Sequence, residues 1–276
     1  MKKKQDTLLR NALSLLLLLF TSITLILLVI TFMNSFKSSS ELARNTFGFP
    51  STITLQNYIT VITEDNFFKY LFNSLFITLV GVFFLLLLSA MVAYGISRYE
   101  FKRKEVVSTY FLIGMMFPVQ LCVMPLFVIL RNMQLLNTMT GVILLYIAGM
   151  SFPVFTLTKF FRNIPASIEE SARLDGASEF RIFFSIIIPI CKPVLATLGL
   201  INGIRIWNDF YIPMVFLSDS NKRTLMLSVY KYMSDFVRNW DLTFAAVVLT
   251  LIPILILYFL CSSQIVEGIT DGTVKE

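Results

Sequence analysis

The densest pattern of potential chemistry in this chain lies between Ser167 and Arg181. Ser167 and Glu170 stand at the S-x-x-E spacing of a capping box, in which the hydroxyl accepts from a first-turn N–H and the glutamate reaches back. Such a cap contributes about 0.5–2 kcal/mol, so the spacing predicts a short helix opening at Ser167. Glu169 and Arg173 follow as i, i+4 in the acid-first order that favours an ion pair. Asp175-Gly176 ends that helix, because glycine readily adopts the left-handed conformation used at helix C-termini. Ser178 is placed to cap a second short helix running through Phe180 and Phe183. A helix, glycine bend, helix unit of this kind is a surface for something else, either lipid headgroups or another protein.

A second polar group sits inside an apolar stretch. Asn202, Arg205 and Asp209 recur at i, i+3, i+7 and share one helix face, with Trp207 and Asn208 beside them. An ionised side chain at the centre of a bilayer costs about 2.5–3.5 kcal/mol on insertion scales, so such residues face a cavity or a partner. Two readings stay open: a polar stripe along a solute path with Trp207 as a stacking surface, or an Arg205–Asp209 ion pair holding subunits together. Asn73, Ser74 and Gln120 fit interhelical hydrogen bonds as well as a pathway.

Several chemistries are excluded. The chain has no histidine, which removes Ser-His-Asp systems and H-E-x-x-H zinc sites. Cys122, Cys191 and Cys261 lack C-x-x-C spacing, so they read as packing residues. No G-x-x-x-x-G-K-[ST] loop is present, so the chain does not itself hydrolyse ATP in the P-loop manner.

The elements that must position these residues are membrane helices. Composition is 56% hydrophobic and 14% charged over 276 residues, against roughly 25% charged in soluble proteins. Windows 11–36, 70–97, 106–130, 132–158 and 242–266 contain no Asp, Glu, Lys or Arg. Each exceeds the ~20 residues that cross a hydrocarbon core. The stretch 183–212 makes a sixth, with Lys192 snorkelling near one end. The expectation is an all-α polytopic membrane protein, a single domain 1–276, with spans near 12–33, 70–95, 106–130, 138–158, 186–211 and 242–263. The first window follows Lys2, Lys3 and Lys4 like a signal peptide, but no small-x-small site closes it. With the N-terminus inside, thirteen cations fall in cytoplasmic pieces and nine outside, so the net charge of +6 is a topology signal rather than a nucleic-acid footprint. Both termini are then cytoplasmic. Pro118, Pro125, Pro153, Pro189, Pro193 and Pro253 lie in or near spans and free backbone carbonyls there.

Glu170-Ser171-Ala172, three residues, Gly176, nine residues, then Ile186-Ile187-Ile188-Pro189 resembles the E-A-A-x3-G-x9-I-x-L-P signature of permease subunits of ATP-binding-cassette importers, maltose-type. Ser171 stands for alanine and Ile188 for leucine. Ala93-Tyr94-Gly95 with Ser97-Arg98, Trp207-Asn208-Asp209-Phe210, Arg223-Thr224-Leu225 and the tail Val266-Glu267-Gly268-Ile269-Thr270 with Gly272 also resemble that family; Asp271 and Glu276 depart from it. The resemblance implies a type I importer permease fold and no cofactor in this chain, with ATP and Mg bound by a partner ATPase. It implies cytoplasmic coupling helices over 166–182, in which Glu169, Glu170, Ser171, Ala172, Asp175, Gly176, Ala177 and Pro189 couple to that ATPase. Glu170 would make the charged contact, Gly176 the bend, and Ala172 and Ala177 a close approach. Glu267, Gly268, Thr270 and Gly272 in the 264–276 tail would contact the ATPase too. Further implied partners are a second permease, two ATPase chains in all, an extracellular solute-binding lipoprotein and a carbohydrate substrate, in a multi-pass plasma-membrane setting with no nucleic acid. The rival, half of a secondary transporter, predicts G-x-x-x-D-[RK]-x-G-[RK] after the second span, and Gly95 to Lys104 lacks its acid and second glycine. An intramembrane enzyme finds no paired catalytic groups.

Overall fold

The computed structural model describes residues 2–63, 66–234 and 239–270, and every regular element among them is helical. In chain order these are α1 (Lys2–Asn34), α2 (Ser39–Arg44), α3 (Gln56–Thr63), α4 (Phe67–Arg98), α5 (Lys104–Gly114), a 3-10 turn (Val119–Cys122), α6 (Val123–Asn132), α7 (Met139–Ala148) and α8 (Ser151–Asn163). There follow α9 (Ser167–Leu174), α10 (Glu179–Ile182), a π-turn (Phe183–Ile187), α11 (Ile188–Ile190), α12 (Lys192–Asn208), α13 (Tyr211–Phe216), α14 (Leu225–Ser234) and α15 (Trp240–Thr270).

Two single helices, Arg10–Asn34 and α4, are long and apolar enough to cross a membrane. Three bent pairs raise the count to five, and α15, apolar over Trp240–Ile256, supplies a sixth candidate. The expected first, second and last spans are thus single helices. The other three are broken, and proline or glycine marks each break. The span expected over 106–130 is two limbs at 99°. Pro118, extended at φ −70 and ψ 126, has no N–H and drives the preceding residue out of the helical region. At 138–158 the chain bends by 45° at Gly149-Met150. The 186–211 span bends by 75° at Cys191, because Pro193 has no N–H to offer the carbonyl of Pro189 four residues earlier.

The chain comprises two compact units. One consists of Met1–Phe68 and Ser228–Ile252. Its connection after α1 is organised by Lys37, which is fully buried. The ammonium donates to Asn34 Oδ1 at 2.8 Å, Asn45 O at 2.8 Å and Gly48 O at 2.7 Å. Asn57 Nδ2 donates to the carbonyls of Ser35 and Lys37 at 2.9 and 2.8 Å. Burying a charge this deeply is tolerable only with its donors satisfied.

The other unit, Lys69–Leu227 and Pro253–Glu276, holds two apolar cores. The first gathers Ala90, Ala93, Tyr94, Leu157, Phe161, Ile182 and Phe183. Around Ile77, Leu85, Val142, Tyr146, Ile206 and Phe216 lies the second. Asn73 and Ser74 are structural here. Asn73 Nδ2 donates to the carbonyls of Asn221 and Arg223, both at 2.9 Å, and Ser74 Oγ accepts from Leu225 N–H at 2.8 Å.

Candidate functional site

The 166–182 segment folds as the corner expected from its spacing, with one change at its start. Ala166, not Ser167, is the N-cap of α9, and it has helical angles of φ −63 and ψ −25. An N-cap side chain needs extended backbone to reach the free N–H groups. Ser167, already inside the helix, forms no capping box, and its carbonyl instead accepts from Ser171 Oγ at 2.9 Å. The helix closes at Asp175, and Gly176 takes φ +80, with no atom within 4 Å of where a Cβ would stand. Ser178 caps α10 as expected, accepting from Arg181 N–H at 3.4 Å.

The two adjacent glutamates have different surroundings. Glu169 is 1% exposed, while Glu170 is exposed. Glu169 Oε1 accepts from Arg98 Nε at 2.6 Å, and its Oε2 accepts from the Tyr94 hydroxyl at 2.9 Å and from Arg173 Nη2 at 3.5 Å. Arg98 uses Nη2 to donate to Ile164 O at 3.0 Å, just beyond the end of α8. Beyond the glycine, Glu179 accepts from Arg173 Nε at 2.6 Å and from the Tyr99 hydroxyl at 2.9 Å. The Arg173 hydrogen bond holds the Glu179 carboxyl below its ordinary value, and the same bond raises Arg173 above its own. Both sides of the bend are therefore tied to residues 94–99 at the end of α4. The spacing pointed to Glu169–Arg173; Tyr94 and Arg98, noted only for the family resemblance, and Tyr99 lie some seventy to eighty residues earlier, and nothing local tied them to the corner.

Ala172 is buried in the chain's own first core, where its small size seats α9. Ala177 packs on the same core. Ser171 and Asp175 are exposed, and exposed Pro189 lines an apolar groove with α4. The apolar tips of the corner point outward: Leu174 is 90% exposed and Phe180 69%. Of the tail, Glu267, Gly268 and Thr270 continue the backbone of α15, their side chains lying outside the described residues, as Gly272 does altogether.

The second polar group separates. Arg205, Asn208 and Asp209 line a cavity of about 500 Å³ together with Gln120, Tyr146 and Gly149. Asn202 is buried, donating to Leu198 O at 2.8 Å, and Trp207 is 7% exposed, so neither reaches that cavity. The Arg205–Asp209 ion pair, one of the two readings left open by the sequence, does not form within this chain: no carboxylate lies within 4.0 Å of Arg205 among the described residues. The helix ends at Asn208, and Asp209, extended at ψ 118, leaves the helical face. Its carboxylate accepts from the N–H groups of Tyr211 at 2.8 Å and Ile212 at 3.2 Å and from the Tyr146 hydroxyl at 3.1 Å. Tyr146 and Gly149 were missed because apolar α7 carries no charge pattern to flag them.

A membrane domain of broken helices with a buried, ion-paired corner and a cavity lined in part by Gln120, Arg205 and Asn208 has the parts of a transport subunit. The chain belongs to the family of binding-protein-dependent transport system inner membrane components, which matches residues 86–267. It is the permease subunit of an ATP-binding-cassette importer of sugars or oligosaccharides, multi-pass in the cell membrane, working with a binding protein and a separate ATPase. The secondary-transporter reading is thereby set aside. Among its relatives, the diacetylchitobiose uptake system permease protein NgcG of Streptomyces coelicolor is 34% identical over 263 residues, 94% of this chain and 87% of that one. The arabinooligosaccharides transport system permease protein AraQ of Halalkalibacterium halodurans is 36% identical over 245 residues, 87% of this chain and 88% of that one. A chain of a bacterial ABC transporter involved in the import of the acidic polysaccharide alginate superposes with a TM-score of 0.81 at 25% identity, covering 94% of this chain and 97% of that one.

Proposed function

We propose that the 166–182 corner is the docking element through which this permease is driven by its ATPase, and that the cavity beside Arg205 borders the sugar route. Carrying the first part is the two-sided character of the corner. Its inner side is consumed by contacts to α4, while Glu170, Leu174 and Phe180 stand outward. A solvated loop gains nothing by exposing both Leu174 and Phe180 on a corner that also carries an exposed acid, whereas a cleft with apolar walls and a cation would bury all three. Both termini and the corner lie on the cytoplasmic side in this reading, which agrees with the cation count in the short loops.

The working assembly pairs this chain with a second permease and two ATPase chains, and a surface solute-binding lipoprotein delivers the sugar. Glu267, Gly268, Thr270 and Gly272 add tail contacts to the ATPase. Gln120, Arg205 and Asn208 offer the sugar neutral and cationic hydrogen-bond groups from a single wall, with the second permease closing the other. Co-purification tests the docking part. Glu170→Lys and Leu174→Asp should release the ATPase from the tagged permease while the second permease stays bound. ATPase recovery at the unmutated level for both variants would refute the docking reading.

A further inference from the structure

Two mechanical routes lead from the corner into the membrane, and they differ in stiffness. The covalent route runs through α10 and α11 to α12. It crosses the π-turn at Phe183–Ile187 and then a 75° bend at Cys191, where Pro193 deprives the backbone of a hydrogen bond. Compliance is built into it twice. The other route is non-covalent and passes through side chains into α4, which is unbroken over 32 residues.

The fastening of that second route is unusually complete. The Glu169 side chain is 2% exposed and that of Arg98 12%, so the 2.6 Å pair between them is shielded from water and salt. Every strong group around it is used: Arg98 also holds Ile164 O, and Glu169 also takes the Tyr94 hydroxyl. A second tie, Glu179 to Tyr99 and Arg173, lies across Gly176 from the first. The two attachment points flank the bend and oppose pivoting of the corner on α4, the buried one more strongly than the exposed one. Gly176 is thus a fixed elbow rather than a free hinge. Some seventeen residues along α4, roughly 25 Å at 1.5 Å per residue, Gly81 lies against Ile206 and Tyr146, with its added Cβ 3.6 and 3.9 Å from their side chains. Tyr146 lines the Arg205 cavity and binds Asp209.

We infer that Arg98 and Glu169 are positioning residues for energy coupling: they fasten the ATPase-docking corner to α4, which carries its displacement as a rigid rod to the wall of the sugar cavity. This rests on the docking reading above. A buried ion pair is by itself weak stabilisation compared with apolar side chains of the same size, so transmission, not stability, is the role this geometry gives the pair.

The test uses the whole transporter, both permeases with their ATPases, in proteoliposomes supplied with the cognate loaded binding protein. Glu169→Gln keeps the shape and removes the charge, and Arg98→Lys keeps the charge and removes the fork. In both variants the ATP hydrolysed per sugar delivered should rise about tenfold or more, since removing one partner of a buried pair is strongly destabilising to the contact. ATPase chains per assembled complex should remain unchanged. Should either variant assemble poorly, Tyr94→Phe deletes one hydroxyl only, and the ratio should still rise about twofold to tenfold, the worth of one hydrogen bond. A ratio at the unmutated value in assembled Glu169→Gln or Tyr94→Phe complexes would overturn the inference, leaving the pair a role in folding alone. If Glu170→Lys and Leu174→Asp release the ATPase while those ratios stay flat, only the fastening is refuted. Retention of the ATPase in both refutes the docking itself.

Discussion

Replacement of Gly176 separates two explanations of the corner, space and backbone angle, because the structure makes them disagree. Gly176 sits at φ +80, and a Cβ added to it meets nothing within 4 Å. Steric bulk therefore costs nothing at the first carbon, and the whole penalty is conformational. Alanine in the left-handed region costs about 1–2 kcal/mol, which divides the population of the native elbow by about 5–30. Asparagine visits that region more readily and costs less, while β-branched valine there is an outlier and costs more. The Arg173–Glu179 pair spanning the bend does not offset this. Its side chains are 40% and 48% exposed, and exposed pairs contribute about 0–1 kcal/mol. Uptake by the reconstituted transporter, with hydrogen-exchange protection measured over residues 173–180, should rank glycine above asparagine, asparagine above alanine and alanine above valine. Asparagine is larger than alanine, so a ranking by side-chain size refutes the argument, and alanine equal to glycine refutes it outright.

Other consequences follow from the same geometry. Arg205→Gln should lower uptake per assembled complex by about 10- to 100-fold, the worth of a hydrogen bond from a charged donor; lost assembly with normal uptake per complex would make Arg205 an interface residue instead. Asp209→Ala removes the acceptor for two backbone N–H groups and should cost about 0.5–2 kcal/mol of thermal stability in detergent, whereas Asp209→Asn, still an acceptor, should cost much less. Lys37→Met leaves the buried Asn34 oxygen without its donor, at about 1–3 kcal/mol, so trypsin should cut after Arg44 several-fold faster; an unchanged rate would mean that Lys37 does not organise that connection. The Glu179 carboxyl is lowered from 4.5, chiefly by the Arg173 hydrogen bond and further by that of Tyr99. A lowered carboxyl stabilises the fold above its ordinary value, and that contribution is lost only as pH falls through the lower folded one. Corrected exchange protection of the corner should be flat from about pH 8 to 6, and should decline only below about pH 4. A transition near neutrality would require a titrating partner group there.

What was legible in the sequence was whatever depends on neighbours along the chain. Charge-free windows placed six apolar segments because crossing hydrocarbon is a property of about twenty consecutive residues. Gly176 and Ser178 announced a bend and a cap because those conformations are local. Helical periodicity put Asn202, Arg205 and Asp209 on one face, and it failed where the helix ended one residue early, at Asn208. Ser167 lost its cap for a similar reason, since Ala166 had already entered the helix.

Tertiary structure alone decided which of two adjacent glutamates is buried. Glu169 and Glu170 have the same chemistry and differ by about 100° around α9, and only the position of α4 beneath that helix buries Glu169 against Arg98 and Tyr94. The same holds for Trp207, which faces the chain's interior instead of the cavity, and for Tyr146, whose partner Asp209 is sixty-three residues away. Sequence alone thus determined that this chain spans a membrane and carries a cornered loop between spans. Which side of that corner is held and which is offered depends on contacts between distant segments, because an ion pair out of water forms only where folding brings both charges to one place.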